Sequence, residues 1–479
     1  MVERRWLILA LVVLAQLMVV LDATIVNIAL PSAQAALGFS NGSRQWIVTG
    51  YALAFGSLLP LGGRLGDVFG RRRTLTLGSL GFAGASAFGG AAQSFEWLLA
   101  ARVLQGMFGA LLAPSALALL TTTFTHPRDR NKAFGIFGAV VGSGAAVGLL
   151  LGGALTEYLS WRWCLYVNLF LALPVTFGAL MLVPAQRLAG KPSLDLPGAS
   201  TAAGGLFLIV FGFDRAQTAG WGAAETIGSL LGGVALLGLF VLIEARSRRP
   251  LLPLRLLEER PRAGSYLAVF FTGIGTFGVF LFVTYYLQQN LGYSPLMSGV
   301  AFLPMIGSVI ATSVGVNSLL LTRFGPRPLI VSGMLLAAVG LVLLTRLAVD
   351  STYAADVLPS LIVIGVGLGL VFPTASNTAT ARVDPAESGV ASSLVNVGQQ
   401  VGGSLGTALL NTIAVSATTG YLSSHHGGAD LVAKGTVHGY TVAFWWSAGI
   451  FAFGALVCGM LLTGRPQAEP AEPVAVAVR

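Results

Sequence analysis

The sequence predicts an all-α protein that crosses a membrane many times. Of its 479 residues, 55% are hydrophobic and only 10% are charged, whereas a soluble domain carries about 25% charged residues. Apolar runs of about 20 residues, the length that spans a bilayer as a helix, recur along the whole chain. The 62 glycines fit the same class, because small residues let helices approach closely in lipid.

Fourteen spans account for these apolar runs, and charged or turn residues separate each span from the next. The predicted spans are 6–30, 45–65, 74–93, 97–121, 133–156, 164–183, 199–216, 226–245, 264–288, 297–321, 328–347, 356–380, 389–416 and 440–463.

The lysines and arginines predict the orientation. With the N-terminus inside, most of them fall in cytoplasmic segments, as the positive-inside rule requires. The exceptions are Arg102, which is within a span, and the external Arg44, Arg162, Arg215, Arg346 and Lys434. We therefore expect a multi-pass protein of the cytoplasmic membrane with both termini in the cytoplasm. The net charge of +9 reflects this topology, and no basic stripe interleaved with aromatic residues indicates nucleic-acid binding.

Two hydrophilic linkers, 184–198 and 246–262, bracket the seventh and eighth spans. The predicted organisation is an N-terminal six-helix bundle (1–183), a central linker with two extra helices and a basic cytoplasmic loop (184–262), a C-terminal six-helix bundle (263–463) and a disordered cytoplasmic tail (464–479). A faint repeat supports two related halves, because Phe-Gly and then a basic residue occur at 69–71 and again at 324–327. Many transporters are built from such repeats, with the substrate site between them.

Side chains that build metal or catalytic sites are few. Cys164 and Cys458 lie in or beside apolar runs, and the four histidines lie in loops or at helix ends without other ligands at a recognisable spacing. No constellation of nucleophile, base and metal is recognisable. The sequence therefore predicts no metal site and no cofactor, and it predicts that the protein is not an enzyme.

Two charged residues lie well inside predicted spans. Asp22 is the one such acid among 19, and Arg102 is the one such base among 28. Placing an acid there costs ~2.5–3.5 kcal/mol on insertion scales, so Asp22 needs a partner or a proton. Both residues fall in the outer half of their spans, which makes a pair geometrically possible. A functional proton site is favoured over a purely structural ion pair, and both interpretations stay open.

The thirteenth span carries two stripes at helical spacing. The polar stripe is Asn396, Gln400, Gly403, Thr407 and Asn411, and the small-residue stripe is Gly398, Gly402 and Gly406. The glycines are expected to pack and the amides to face water or substrate, although interhelical hydrogen bonding explains the amides equally well. Phe277 and Tyr285 share a face of the ninth span, where packing is the more frequent role of aromatic residues.

Several motifs resemble those of the major facilitator superfamily. The segment GRLGDVFGRRR (63–73) looks like the loop signature between the second and third helices of that family, and RVLQG (102–106) is similar to its fourth-helix motif. The segment LDATIVNIALP (21–31) resembles the first-helix motif of the fourteen-helix drug/proton antiporters. The resemblance covers nearly the whole chain. It implies a major facilitator fold of two six-helix bundles plus two extra central helices, giving 14 spans.

The resemblance also implies roles for residues of two further motifs. The loop motif would form a cytoplasmic gate of Gly63, Asp67, Gly70, Arg71 and Arg72. Asp67 would face the N-terminus of the thirteenth span, where the helix dipole favours an anion; a solvated salt bridge is the alternative. The fifth span carries the packing motif Gly144, Gly148, Gly152 and Gly153, with Leu149 where the family has proline.

The expected function is proton-coupled efflux, by antiport, of small amphipathic or hydrophobic compounds such as drugs. Asp22 and Arg102 would couple protons to transport. The expected substrate cavity is lined by Met18, Asn27, Phe277, Tyr285, Asn396, Gln400 and Thr407. The expected partners are a small-molecule substrate, protons and the lipid bilayer, with the protein acting as a monomer. The alternatives are a dedicated exporter or importer of one metabolite, and a membrane sensor that does not transport.

Overall fold

The computed structural model describes residues 2–124, 127–184, 195–247, 254–315, 320–380, 388–425 and 430–462, together with the single residues 250, 252 and 383. Within these residues the regular structure is helical and contains no strand. The helices are α1 (Val2–Leu37), α2 (Gln45–Phe69), α3 (Arg71–Gly90), α4 (Phe95–Thr123), α5 (Pro127–Tyr158), α6 (Trp163–Leu182), α7 (Leu196–Ala219), α8 (Ala224–Arg246), α9 (Arg255–Glu258), α10 (Arg260–Tyr285), α11 (Pro295–Ala301), α12 (Leu303–Gly315), α13 (Leu321–Phe324), α14 (Pro326–Leu344), α15 (Leu358–Thr380), α16 (Ser388–Ser424) and α17 (Leu431–Leu461).

The predicted spans coincide with these helices. The first eight fall on α1 to α8 in order, the ninth on α10, the tenth on α11 and α12 together, and the last four on α14 to α17. In the described part of the chain, 10 helices are long and apolar enough to cross a membrane by length and composition. The prediction of an all-helical, multi-span protein is confirmed. The predicted tail, 464–479, lies outside the described residues.

Turns and caps in the sequence set several of these boundaries. Gly70, with a φ of 88°, separates α2 from α3, and Gly325, with a φ of 74°, separates α13 from α14. Only glycine adopts such backbone angles readily, so each Phe-Gly repeat becomes a sharp turn between two helices. Ser94 caps α4 by accepting a hydrogen bond from the Trp97 amide.

Glycines allow close helix contacts within α1–α6 and within α10–α17, which we call the N-terminal half and the C-terminal half. On α5, Gly144, Gly148 and Gly152 face α1, and a methyl group at Gly152 would lie 2.7 Å from the Ile25 side chain. On α16, Gly402 and Gly406 face α10, and a methyl group at Gly406 would lie 2.5 Å from the Ile274 Cα. The glycines of both stripes are therefore packing surfaces, as small residues are in lipid.

The two halves meet at the end of the molecule where α1 ends, which we call the closed end. A methyl group at Gly153 of α5 would lie 2.5 Å from the Leu296 Cα of α11, and one at Gly299 would lie 2.5 Å from the Leu149 carbonyl oxygen. The side-chain amide of Gln288 also donates to the Ile28 carbonyl at 3.1 Å. Leu149 thus packs its backbone directly against the other half.

The helices α7 and α8 form a pair joined by glycine contacts. A methyl group at Gly205 would lie 3.0 Å from the Gly233 carbonyl oxygen, so the two backbones touch. Large apolar side chains of α8, such as Leu231 and Val234, are more than half exposed, as expected of a surface that faces lipid. The helix α7 meets α2 and α16, one helix from each half.

Candidate functional site

The most deeply buried charge of the described residues is the carboxylate of Asp22 on α1, which is 0% exposed. Arg102 of α4 donates from Nη1 to Asp22 Oδ2 at 2.5 Å. Gln105 and Asn168 each donate a side-chain amide proton to Asp22 Oδ1 at 2.9 Å. Two helices, α4 and α6, therefore supply three donors to the carboxylate on α1, and the group is compensated there by a cation and by hydrogen bonds.

Arg102 is held in place by contacts on its other faces. Its Nε donates to the Ile47 carbonyl of α2 at 3.1 Å, and its Nη1 donates to Gln105 Oε1 at 2.8 Å. Its guanidinium carbon lies 4.4 Å from the ring centroid of Tyr51, within the range of a cation–π interaction. These contacts do not involve Asp22, so Arg102 does not depend on Asp22 alone for its position.

Ser86 completes the network on α3. Its hydroxyl oxygen lies 2.7 Å from Gln105 Nε2 and 3.2 Å from Asn168 Nδ2, so it accepts from both amides that also face Asp22. All of these polar residues are buried. We define Asp22, Arg102, Gln105, Asn168 and Ser86 as the buried network. It joins α1, α3, α4 and α6 of the N-terminal half.

One polar atom of the buried network lacks a partner. The Oδ1 oxygen of Asn168 is buried and receives no hydrogen bond, although its Nδ2 donates to Asp22. A neutral carboxyl group is a donor as well as an acceptor, and a turn of the Asn168 amide would present Oδ1 to that donor. The network therefore contains donors for a charged Asp22 and, after rotation of the Asn168 amide, an acceptor oxygen for a protonated Asp22.

The predicted cavity residues lie at several levels of the molecule. Met18 is buried in the apolar core of the N-terminal half, and Asn27 donates to the Ala23 carbonyl of its own helix at 3.0 Å. Phe277 packs against Gly403. The Tyr285 hydroxyl donates to Gln34 Oε1 at the closed end. Tyr285 is thus part of the contact between the halves in this state.

Gln400 of the polar stripe of α16 faces α2, whereas Gly403 faces Phe277 of α10. A methyl group at Gly56 of α2 would lie 3.1 Å from the Gln400 Cβ, and the buried Gln400 Oε1 has no hydrogen-bond partner. Thr407 is buried and donates to the Gly403 carbonyl of its own helix at 2.7 Å. Asn396, farther towards the start of α16, is exposed. The stripe therefore runs along the seam between the two halves.

The predicted gate lies on the α2–α3 turn. Arg71 donates to the Ala118 carbonyl at 3.0 Å and to Thr122 Oγ1 at 2.7 Å, which fixes the start of α3 against the end of α4. Arg72 is partly exposed, and Gly63 and Gly70 lie on α2 and at its end. The side chain of Asp67 and that of Ser388 at the start of α16 lie outside the described residues.

Arg44 is a buried charge that sequence reasoning placed in an external loop. It precedes α2, is 2% exposed, and donates from Nε to Asn411 Oδ1 of α16 at 3.0 Å. Its guanidinium carbon lies 4.2 Å from the Tyr285 ring centroid. The sequence carried no signal for this burial, because an arginine at the start of a helix can lie either in solvent or against the neighbouring helices.

Comparison with known proteins identifies the family. Residues 12–407 match the family described as Major Facilitator Superfamily. The chain belongs to the major facilitator superfamily. Its members are membrane transporters, so the predictions of a multi-pass membrane transporter and of a protein that is not an enzyme are both confirmed.

Relatives within the superfamily carry names of resistance and export proteins. The chain is 51% identical to the puromycin resistance protein pur8 of Streptomyces alboniger, over 97% of this chain and 93% of that protein. It is 39% identical to the cephamycin export protein CmcT of Amycolatopsis lactamdurans, over 88% of each chain. It is 34% identical to the multidrug efflux pump LfrA of Mycolicibacterium smegmatis, over 86% of this chain and 81% of that protein.

Solved structures share the fold. A POT family peptide transporter, described as auto inhibited, aligns with a TM-score of 0.68 at 18% identity and covers 98% of this chain and 99% of that chain. A bacterial homologue of the human lysosomal transporter Spinster, in an inward-facing and unoccupied conformation, aligns with a TM-score of 0.66 at 17% identity, over 96% and 97% of the two chains.

Removing only the cation of the buried pair should strongly destabilise the protein. We expect Arg102→Met to lower the free energy of unfolding by ~3–5 kcal/mol, because it leaves the Asp22 carboxylate buried and unpaired. Denaturant unfolding of the purified protein in detergent measures the loss. The double variant Asp22→Asn with Arg102→Met should recover most of it. A double variant as unstable as Arg102→Met would contradict the assignment of the cost to the unpaired charge.

Proposed function

We propose that the protein exports small amphipathic or hydrophobic compounds, such as drugs, across the cytoplasmic membrane in exchange for protons. The observation that carries this proposal is the Asp22 carboxylate, which is fully buried and accepts hydrogen bonds from three side chains of two other helices. Intramembrane ionisable groups commonly mark proton or substrate pathways. The names of the relatives, which include resistance and multidrug efflux, support export as the direction.

Exchange follows if drug and proton compete for Asp22. In its charged form, Asp22 pairs with Arg102 and attracts a cationic substrate. When it takes up a proton, that attraction is lost and the substrate is released. Arg102 cannot give up its proton in a protein, so it supplies a fixed charge while Asp22 changes. A bound proton weakens drug binding, and a bound drug weakens proton binding by the same factor. This competition couples the flow of protons to the flow of drug.

The closed end is the predicted external end, because α1 begins at the predicted cytoplasmic N-terminus. Contacts between the halves there, such as Gly153 with Leu296 and Gln288 with the Ile28 carbonyl, suit a state closed to the outside. In this state substrate would enter from the cytoplasm or the inner leaflet, along the seam lined by Gln400 and Thr407. The gate at Asp67 would close the cytoplasmic end in the opposite state.

A dedicated exporter of one antibiotic is the second candidate. Puromycin and cephamycin appear individually in the names of two relatives, and the puromycin resistance protein is similar along 97% of this chain. Growth of a drug-sensitive host on a panel of unrelated drugs separates the two candidates. Protection against puromycin alone supports a dedicated exporter, whereas protection against several unrelated compounds supports multidrug export.

Fourteen spans with both termini in the cytoplasm are part of the proposal, with bundles over 1–183 and 263–463 joined by the central pair. Fusion of a reporter after Ser424, at the end of α16, should read as external, and fusion after Arg465 should read as cytoplasmic. The two sites differ by one span, so the same side for both reporters would contradict the assignment.

Replacing the proton carrier should uncouple transport. We expect Asp22→Asn to reduce proton-driven efflux of a cationic dye to the background of cells without the protein, because the amide cannot exchange a proton. Asp22→Glu should retain part of the activity. Efflux is measured in cells with an imposed proton gradient, with and without a protonophore.

Asp129→Asn is the matched control. Asp129 also pairs with an arginine, Arg5 at 2.9 Å, but both side chains are about one-third exposed. Efflux by this variant should stay near that of the parent protein. If Asp22→Asn still concentrates the dye outside and a protonophore still stops it, the proton site lies elsewhere.

A further inference from the structure

The end of α7 contacts both halves of the protein through two consecutive residues. Asp214 Oδ1 accepts hydrogen bonds from Trp46 Nε1 at 2.9 Å and from Gln45 Nε2 at 3.3 Å, both on α2. The carbonyl oxygen of Phe213 lies 2.9 Å from Thr412 Oγ1 of α16. The same hydroxyl lies 2.8 Å from the Ala408 carbonyl of its own helix, so its proton is shared.

A direct contact between α2 and α16 closes a triangle. Arg44, next to Gln45 in the chain, donates to Asn411, next to Thr412, at 3.0 Å. Each corner of the triangle is therefore a run of two or three consecutive residues, at 44–46, 213–214 and 411–412. We call these residues the three-helix lock. It lies at the closed end and joins the N-terminal half, the C-terminal half and the central pair.

We propose that the central pair α7–α8 is a bridge that helps to hold the closed end shut, and that Asp214 is a positioning residue for the transport cycle. This inference rests on the proposed function, because only a transporter must open that end. The bridge has two links in series, Asp214 to α2 and Phe213 to α16. The Arg44–Asn411 contact acts beside it, in parallel.

The geometry of opening explains why these bonds matter. When the closed end opens, α2 must separate from α16, and α7 can follow only one of them. It must then give up its hydrogen bonds to the other helix. Gln45, one of the two donors to the Asp214 carboxylate, is fully buried, whereas Asp214 itself is partly exposed. Opening therefore breaks a hydrogen bond that is shielded from water on the Gln45 side in the closed state. Hydrogen bonds to charged groups are stronger than those between neutral groups.

A passive role for the pair makes a different prediction. If α7 and α8 only fill space beside the seam, their bonds to α2 and α16 contribute to packing but not to the balance between closed and open states. A measurement of that balance therefore separates the two roles, whereas a measurement of stability does not.

Thr49→Cys provides a reporter of opening. Thr49 is fully buried and lies seven residues, or two helical turns, from Gly56, so it shares the face of α2 that meets α16. A membrane-impermeant thiol reagent, added from outside to cells, should label it only when the closed end opens. The native thiols, Cys164 and Cys458, are both buried, and they are replaced by alanine to remove their signal.

Series links give a distinctive pattern of labelling rates. Asp214→Ala breaks one link and Thr412→Val breaks the other. We expect a single lost hydrogen bond to raise the labelling rate about three- to tenfold, and Asp214→Ala, which loses the bonds to both Trp46 and Gln45, to have the larger effect. The double variant should be no faster than the faster single variant, because one broken link already disables the bridge. Arg44→Gln, which breaks the parallel contact, should multiply the effect of either.

Two controls test for a specific role of Asp214. Asp214→Asn keeps an acceptor oxygen for Trp46 but loses the charge, so its labelling rate should fall between the parent rate and that of Asp214→Ala. Glu225→Gln removes a carboxylate at the same end of the pair, where Glu225 lies 3.9 Å from Arg215 in an exposed ion pair, and should not change the rate.

The inference is overturned if neither single variant changes the labelling rate, or if the double variant shows the product of the two single effects. Labelling requires neither drug nor a proton gradient, so these outcomes do not depend on whether the protein exports drugs. The proposed function is tested separately, by measuring proton-driven efflux in the Asp22 variants. If the labelling rates follow the predicted pattern but the protein exports no drug, the proposed function is refuted and the role of the central pair as a bridge is still supported.

Discussion

A carboxylate buried within the membrane is the constraint on which the rest of the structure depends. Asp22 lies on α1, and its charge is compensated by Arg102 of α4 and by amides of α4 and α6. Those helices can deliver their donors only if α1 packs closely among its neighbours, which Gly148 and Gly152 of α5 allow. An unpaired charge there would cost several kcal/mol, so the packing of the N-terminal half and the chemistry of the site are set together.

The contacts at the closed end connect this site to the other half. α1 carries Asp22 and, about two and three turns later, Ile28 and Gln34. These two residues accept hydrogen bonds from Gln288 and Tyr285 of the C-terminal half. α2 supplies both the Ile47 carbonyl that holds Arg102 and the Arg44 side chain that reaches Asn411. A change of charge at Asp22 therefore acts on two helices that also form the seam between the halves.

The sequence predicted the helices and singled out Asp22 and Arg102 as a possible pair, because apolar runs and the charges within them are both visible in the sequence. Apolar runs mark spans, and a charge inside such a run is rare enough that Asp22 and Arg102 stand out. Gln105, Asn168 and Ser86 could not be singled out, since neutral polar residues occur in many spans and only the rotation of each helix decides which ones meet. Arg44 and Asp214 lie at helix ends, where the sequence alone does not distinguish a buried side chain from a solvated one.

Proton release on drug binding tests the central claim most directly. A cationic drug is added to the purified protein in weakly buffered detergent with a pH indicator, at concentrations that equilibrium dialysis shows to be bound. Competition at one carboxyl group predicts release of up to about one proton per drug bound by the parent protein over part of a pH series, and none by Asp22→Asn. Equal release by both proteins would contradict the account, because the exchanged proton would then come from another group.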